Sequence, residues 1–182
     1  MQVTYRRLPH FYAVGQPQFV TFRLHDSLPR GRYFDEDSIT SGQAFAQMDR
    51  LLDRGVVGPR FLRMPNIAQL VADSIRQGES TDYALHAWVV MPNHVHMLIT
   101  PRIDVSALMR KLKGGTARRA NLELGRLGKP FWQHESYDRL VRDGSEFRKI
   151  ERYIVHNPVR AGLVFCAEGY RWSSAWSAEV VG

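Results

Sequence analysis

The spacing of apolar positions changes several times along the chain, and each change marks an element. In PQFVTFRLHD, residues 17–26, Phe19, Thr21 and Arg23 alternate with Val20, Phe22 and Leu24. Both sets carry β-branched or aromatic residues, which predicts a strand. From Ser41 to Asp53, Phe45, Met48 and Leu52 fall at helical spacing. A second helix is predicted after Pro65, with Ile67, Leu70, Val71 and Ile75 on one stripe and Gly78 just past its end. Residues 83–101, YALHAWVVMPNHVHMLITP, hold two strand-like runs around Pro92-Asn93, which signals a hairpin. Val105, Leu108, Met109 and Leu112 open a further helix, expected to be interrupted or weakened at Gly114-Gly115. FWQHESYDRLV, residues 131–141, reads as a fourth strand. SEFRKIERYIVHNP reads as a last helix, with Ser145 as N-cap and Pro158 as its stop.

The order is β, α(α), β, β, α, β, α. Without its last helix it is the split βαββαβ of ferredoxin-like α+β domains. The expectation is an antiparallel sheet with helices on one face, the other face being open to the C-terminal helix. The 182 residues fit one domain, 1–182, with a basic N-terminal arm at about 1–16 and a C-terminal tail at about 166–182.

Charge narrows the choice of partner. Lys and Arg number 25 against 18 Asp and Glu, a formal net charge of +7. That balance favours a polyanion. Cys166 is the only cysteine, which excludes an intrachain disulfide and a thiolate zinc cluster. MQVTYRRLPHFY lacks the apolar segment of a signal peptide, and no apolar run is long enough to span a bilayer. A soluble protein of a reducing cytoplasm, with no membrane partner, is expected.

Residues i and i+2 of a strand share a face, so His94 and His96 project together and Val95, Met97 and Ile99 project the other way. The apolar set suits the helix-covered core. The imidazoles are then expected on the open face, within reach of a ligand. Two neighbouring imidazoles are a common start to a metal site. Spacing alone fits two hydrogen-bonded surface residues as well, and a metal needs a third ligand. RYIVHNPVRAGLV supplies a candidate, because Tyr153 and Asn157 lie one helical turn apart beside an apolar stripe of Phe147, Ile150 and Ile154. On spacing alone Tyr153 is equally a residue at the rim of the core, and Asn157 an ordinary helix end.

MPNHVHMLI, FWQHESYDRLVRD, YIVHNPVRAGLV and YRWSSA, in that order, resemble the REP-associated tyrosine transposases. These are relatives of the single-strand insertion-sequence transposases in the HUH (His-hydrophobe-His) superfamily. The resemblance runs from about Phe19 to Ala175 and agrees with the ferredoxin-like order. It implies that His94 and His96 hold a divalent metal, Mg²⁺ or Mn²⁺, with Asn157 as third ligand. It implies that Tyr153 is the nucleophile of a single-stranded DNA endonuclease and strand transferase. The implied substrate is single-stranded DNA, often a hairpin from an extragenic palindromic repeat, cut beside its foot. A 5′-phosphotyrosine link with a free 3′-OH would retain the bond energy and permit rejoining without ATP. Three neutral ligands would leave the full charge of the ion for the phosphate.

The resemblance is loosest over residues 31–78, which are long, and over the N-terminal arm. Arg110, Lys111, Lys113, Arg118 and Arg119 occupy outer positions of the third helix. They suit phosphate contacts and a solvated face about equally. Tyr137 is a rival nucleophile, but its strand setting beside Phe131 and Trp132 favours packing. His86, His134 and His156 read as structural or peripheral. The alternative function is a catalytically idle DNA-hairpin-binding protein on the same fold. A histidine-triad nucleotide hydrolase would need a third histidine where Leu98 stands. The expected setting is the bacterial cytoplasm, at the nucleoid, as a monomer or homodimer.

Overall fold

The computed structural model describes residues 14–29, 41–55 and 57–180. Most of the expected N-terminal arm lies outside the described residues. The elements are β1 (Gln18–Arg23), α1 (Ser41–Arg54), α2 (Pro65–Gly78), β2 (Tyr83–Val90), β3 (His94–Pro101), α3 (Val105–Glu123), β4 (Tyr137–Leu140) and α4 (Gly144–Arg160). The four strands form one antiparallel sheet in the order β2-β3-β1-β4. The fold is α+β, as the element order predicts.

Strand alternation sorts the side chains into two layers. Val20, Phe22, Val95, Met97 and Ile99 join Ile67, Val71 and Ile75 of α2 and Leu108 and Leu112 of α3 in the larger core. Each such side chain, fully buried, contributes roughly 1.5–3 kcal/mol relative to exposure. On the opposite face Phe19, Ala87, Val89 and Leu98 pack against α4 through Ile154, with Phe45 of α1 and Phe147 and Ile150 of α4 at the margin. The histidine face was expected to carry α4 alone, and it carries α1 as well. His94 and His96 are therefore fully buried rather than open to solvent. The register Thr21↔His96 and Arg23↔His94 fixes this layer. A slip of one residue would drive both imidazoles into the apolar core, so register is strongly specified.

Four local features differ from the sequence pattern. First, α3 runs through Gly114-Gly115 without a break, because Leu108, Leu112, Thr116 and Ala120 anchor one face along its length. Second, α4 begins at Gly144 with Asp143 as N-cap, whose carboxylate accepts from the Ser145 and Glu146 amides at 2.7 and 2.9 Å. Third, Pro158 lies inside α4 rather than ending it. Its missing N–H costs one helical bond near the C-terminus, and burial of its ring offsets the loss. The fourth strand is shorter than expected, and Trp132 reaches β1 only through an isolated bridge to Leu24.

The free edge of β2 is covered by the C-terminal tail. Val90 N–H donates to Trp172 O at 2.8 Å, Ser174 N–H to Trp88 O at 2.9 Å, and Tyr170 OH to Val90 O at 2.9 Å. Those bonds occupy an edge that would otherwise template pairing with another chain. At the other end of the sheet, the loop leaving α1 is pinned to the turn after β1. Gly58 sits at φ +82°, where a Cβ would lie 2.0 Å from Asp26 O.

Two glycine substitutions should therefore act in opposite directions. Gly58→Ala is expected to destabilise by roughly 1–3 kcal/mol through the clash with Asp26. Gly114→Ala, whose Cβ would meet nothing within 4 Å, is expected to stabilise by roughly 0.5–1 kcal/mol. Urea unfolding of the two variants beside the parent measures both, and equal midpoints would refute the placement of both residues.

Candidate active site

Three elements meet at His94 and His96. β3 supplies the imidazoles, α4 supplies Tyr153 and Asn157, and α1 supplies Asp49 and Asp53. The two Nε2 atoms are 3.1 Å apart, and Asp49 Oδ1 lies 3.0 Å from His96 Nε2 and 3.5 Å from His94 Nε2. All three side chains are fully buried.

The other ring nitrogens are held from behind. Asn93 Nδ2 donates to Leu52 O at 2.9 Å, which turns its Oδ1 toward His94 Nδ1 at 2.7 Å. His94 must then carry its proton on Nδ1, leaving the Nε2 lone pair free. The Thr21 hydroxyl lies 2.7 Å from His96 Nδ1 and can accept from it or donate to it, so it anchors the ring in either tautomer. The Pro92-Asn93 turn is thus a support for the site as well as a hairpin signal. Phe19 stacks on the His96 ring, with centroids 5.6 Å apart.

Electrostatics follow from this packing. Burial and the neighbouring His96 push the His94 imidazolium down to about 3, against the pull of Asp49, so His94 is neutral at ordinary pH. Burial works against ionisation of Asp49, but His96, His94 and the Tyr153 phenol outweigh it and hold the carboxyl well below the usual range. Asp53, one turn further along α1, is pushed up to about 7 by burial and by the charge of Asp49. Its Oδ1 lies 3.9 Å from His94 Nε2.

Tyr153 OH donates to Asp49 Oδ2, and Asn157 Nδ2 stands 3.5 Å from the same oxygen. Burial, then the Asp49 charge, raises the phenol well above its ordinary pKa, so it rests protonated. The predicted tyrosine, asparagine and histidine pair are therefore brought together. Asp49 and Asp53 are the residues that sequence reasoning missed. The signal was present: Phe45, Asp49, Leu52 and Asp53 share one helical face, which puts carboxylates on the apolar side of α1.

Asp49 Oδ1, Asp53 Oδ1 and Asn157 Oδ1 are buried and make no hydrogen bond. Orphaned acceptors beside two imidazole lone pairs are the donor set of a cation. Metal–ligand bonds of ~2.1 Å at right angles put adjacent ligand atoms ~3.0 Å apart, and a tetrahedral arrangement ~3.4 Å. The observed 3.0, 3.1 and 3.5 Å match that spacing. Asp49, His94 and His96 can bind a metal ion. A carboxylate, Asp49, thus faces both Nε2 atoms and adds a charged candidate to the neutral set expected from the sequence.

The other expected residues lie elsewhere. α3 packs on the far face of the sheet, so its basic positions are remote from the histidine layer. Lys113 Nζ donates to Gln133 O and His134 O at 2.7 Å and to Ser136 Oγ at 3.1 Å, a strap onto the segment before β4. Lys111 pairs with Asp82 at 2.7 Å, and Arg119 reaches Ser74 Oγ at 3.3 Å. Arg110 and Arg118 are exposed. Tyr137 stacks on Phe45 at 4.6 Å and is a packing aromatic. His86 bonds Thr100 Oγ1 at 2.8 Å, and His156 caps back to Arg152 O at 3.0 Å.

Comparison with known proteins shows the fold and the family. A REP-associated tyrosine transposase of Escherichia coli (strain K12) is 31% identical over 85 residues, 45% of this chain and 48% of that one. The match thus spans about half the length of the curated relative. The solved structure of a REP-associated tyrosine transposase bound to a REP hairpin superimposes with a TM-score of 0.58 at 21% identity, covering 95% of this chain and 82% of that one. That likeness shows the fold. The family model described as Transposase IS200 like matches residues 66–157, from the start of α2 through His94, His96, Tyr153 and Asn157. On that match the chain belongs to the IS200-like transposase family.

Proposed function

We propose that the protein is a metal-dependent single-stranded DNA endonuclease and strand transferase that cuts beside DNA hairpins through a 5′-phosphotyrosine intermediate. The observation that carries this reading is the convergence of the Tyr153 phenol, two imidazole lone pairs and orphaned acceptor oxygens at one buried point. The hairpin substrate is carried over from the REP-associated relative and its hairpin-bound counterpart.

In this reading His94, His96 and Asp49 hold the ion, with Asn157 Oδ1 as a further ligand. Mg²⁺ or Mn²⁺ suits a mixed imidazole and oxygen set. The chemistry such an ion supplies is Lewis-acid polarisation of a phosphate oxygen. Asn93 keeps the His94 ring in the tautomer that presents Nε2, and the Thr21 hydroxyl holds the His96 ring in place. Asp49 Oδ2 orients the phenol and stays ionised, held well below the usual carboxylate range, while the phenol's proton passes to water as the Tyr153 oxygen bonds to phosphorus. The bond from phosphorus to the 3′ oxygen breaks, and that oxygen leaves as a hydroxyl after taking a proton from water. The reverse attack by a 3′-OH restores the phosphodiester and frees the tyrosine. The enzyme would act on DNA in the cytoplasm. No helix among the described residues is long and apolar enough to cross a membrane.

The first test is covalent trapping with a labelled single-stranded hairpin from the DNA flanking the gene, in Mn²⁺ or Mg²⁺. A label that stays with the protein on a denaturing gel, needs metal and vanishes in Tyr153→Phe is expected. Tight hairpin binding by both proteins with no adduct from either would favour the idle binding protein. An adduct that persists in Tyr153→Phe would move the nucleophile to Tyr137.

Metal binding gives a second, independent test. Mn²⁺ affinity, followed by electron paramagnetic resonance without DNA, is expected to be lost in His94→Ala. Asn93→Ala is expected to weaken it by about 10–100-fold, because the His94 ring loses its fixed tautomer. Unchanged affinity in Asn93→Ala would refute the role of the turn.

A further inference from the structure

Arg160 continues the stripe that carries Tyr153 and Asn157, at the last position of α4. Its guanidinium carbon sits 4.6 Å from the centre of the Tyr153 ring. One guanidinium nitrogen is 4.0 Å from Asp49 Oδ2 and 4.0 Å from Asp53 Oδ2. Both separations exceed hydrogen-bond reach, so neither carboxylate ties up its donors. The side chain is 41% exposed, whereas those of Asp49, His94 and His96 are fully buried. Arg160 thus spans the boundary between solvent and the buried cluster, beside the phenol oxygen. Its hydrogen bond to the phenol, and then its charge, help the phenol ionise, against burial and Asp49.

Charge balance gives that position a purpose. Asp49 removes one unit from the field of a divalent ion, leaving one positive charge at the point of reaction. A phosphodiester brings one negative charge, and phenol attack brings a second once its proton has passed on. Without another cation the reacting assembly is net negative in a poorly solvated pocket, which is costly. An arginine always carries its charge and presents paired donors that match phosphate oxygens.

We propose that Arg160 is a catalytic residue that takes a non-bridging oxygen of the scissile phosphate from the solvent side, offsetting the charge that Asp49 brings to the site. This rests on Tyr153 being the nucleophile, as proposed above. The residue was not singled out by sequence, where it reads as a basic end of a helix.

The test compares Arg160→Gln and Arg160→Lys with the parent in single-turnover adduct formation on the hairpin oligonucleotide. Arg160→Gln is expected to slow the step by roughly 10²–10³-fold, and Arg160→Lys to recover part of the loss. Two readouts separate this from a structural role. Mn²⁺ affinity should stay at the parent value. Hairpin binding, measured by fluorescence anisotropy in a Tyr153→Phe background, should change by less than about threefold on adding Arg160→Gln, since one phosphate contact is few among many. A parallel fall in Mn²⁺ affinity and rate would overturn the proposal in favour of support for the metal site. An unchanged rate in Arg160→Gln beside an active parent would overturn it alone. Failure of the parent to form any adduct would overturn the tyrosine reading and this proposal together.

Discussion

Two imidazole lone pairs and a carboxylate converge within 3.5 Å at a point that water does not reach. Buried polar groups without partners cost about 1–3 kcal/mol each, and a buried charge costs more. Such a cluster persists only if the rest of the fold over-determines it. Here the sheet register fixes both imidazoles, Asn93 fixes the His94 tautomer, Thr21 anchors the His96 ring, and two helices close over them. The apolar pairs Phe19–Phe45 and Phe19–Tyr153 hold those helices at the right height, with centroids 5.2 and 6.1 Å apart. The packing of this layer is thus in service of a polar centre, while the α2–α3 layer carries the larger share of the apolar core.

The two layers were unequally legible. Strand alternation in HVHMLITP determined which side chains face which layer, because period 2 leaves no choice once one face is apolar, whereas PQFVTFRLHD is apolar on both faces and reads only as a strand. Tyr153 and Asn157 were legible for a similar reason, since period 3.6 puts them on one stripe. Asp49 was not, although it is as buried as the histidines. It stands 45 residues before His94, on a helix whose apolar stripe is legible but whose layer in the fold is not. The family match begins at residue 66, after α1, so the matched region does not include it. What distinguishes Asp49 from a solvated aspartate is its position between Phe45 and Leu52, a pattern that gains meaning only when a second polar cluster is available to receive it.

Basic residues show the converse. The run on α3 is dense enough to suggest a backbone-tracking stripe, yet Lys111, Lys113 and Arg119 each have protein partners, and the helix lies on the sheet face away from the imidazoles. A helical stripe in sequence reports which residues share a face, not which layer that face belongs to. Layer assignment needs the crossover geometry of the whole sheet, which no local period encodes. The ends of α4 follow the same logic. Pro158 is a stop signal by propensity, but the tertiary gain of seating its ring in the buried layer exceeds the loss of one hydrogen bond near the helix end.

Asp49 joins the two halves of the candidate site through its separate oxygens. Oδ1 faces the imidazoles, while Oδ2 accepts from Tyr153 and lies near Asn157 and Arg160. A displacement of α1 would therefore disturb the imidazole pair and the phenol together. The elements that lock α1 in place are accordingly part of the same constraint: the close approach of Gly58 to Asp26, the Asn93 bond to Leu52 O, and the stacking of Phe45 on Tyr137. They tie the helix, or the loop leaving it, to different strands and turns, so its carboxylate is held at several points rather than hinged on one. That restraint suits holding a reactive oxygen to a fraction of an ångström.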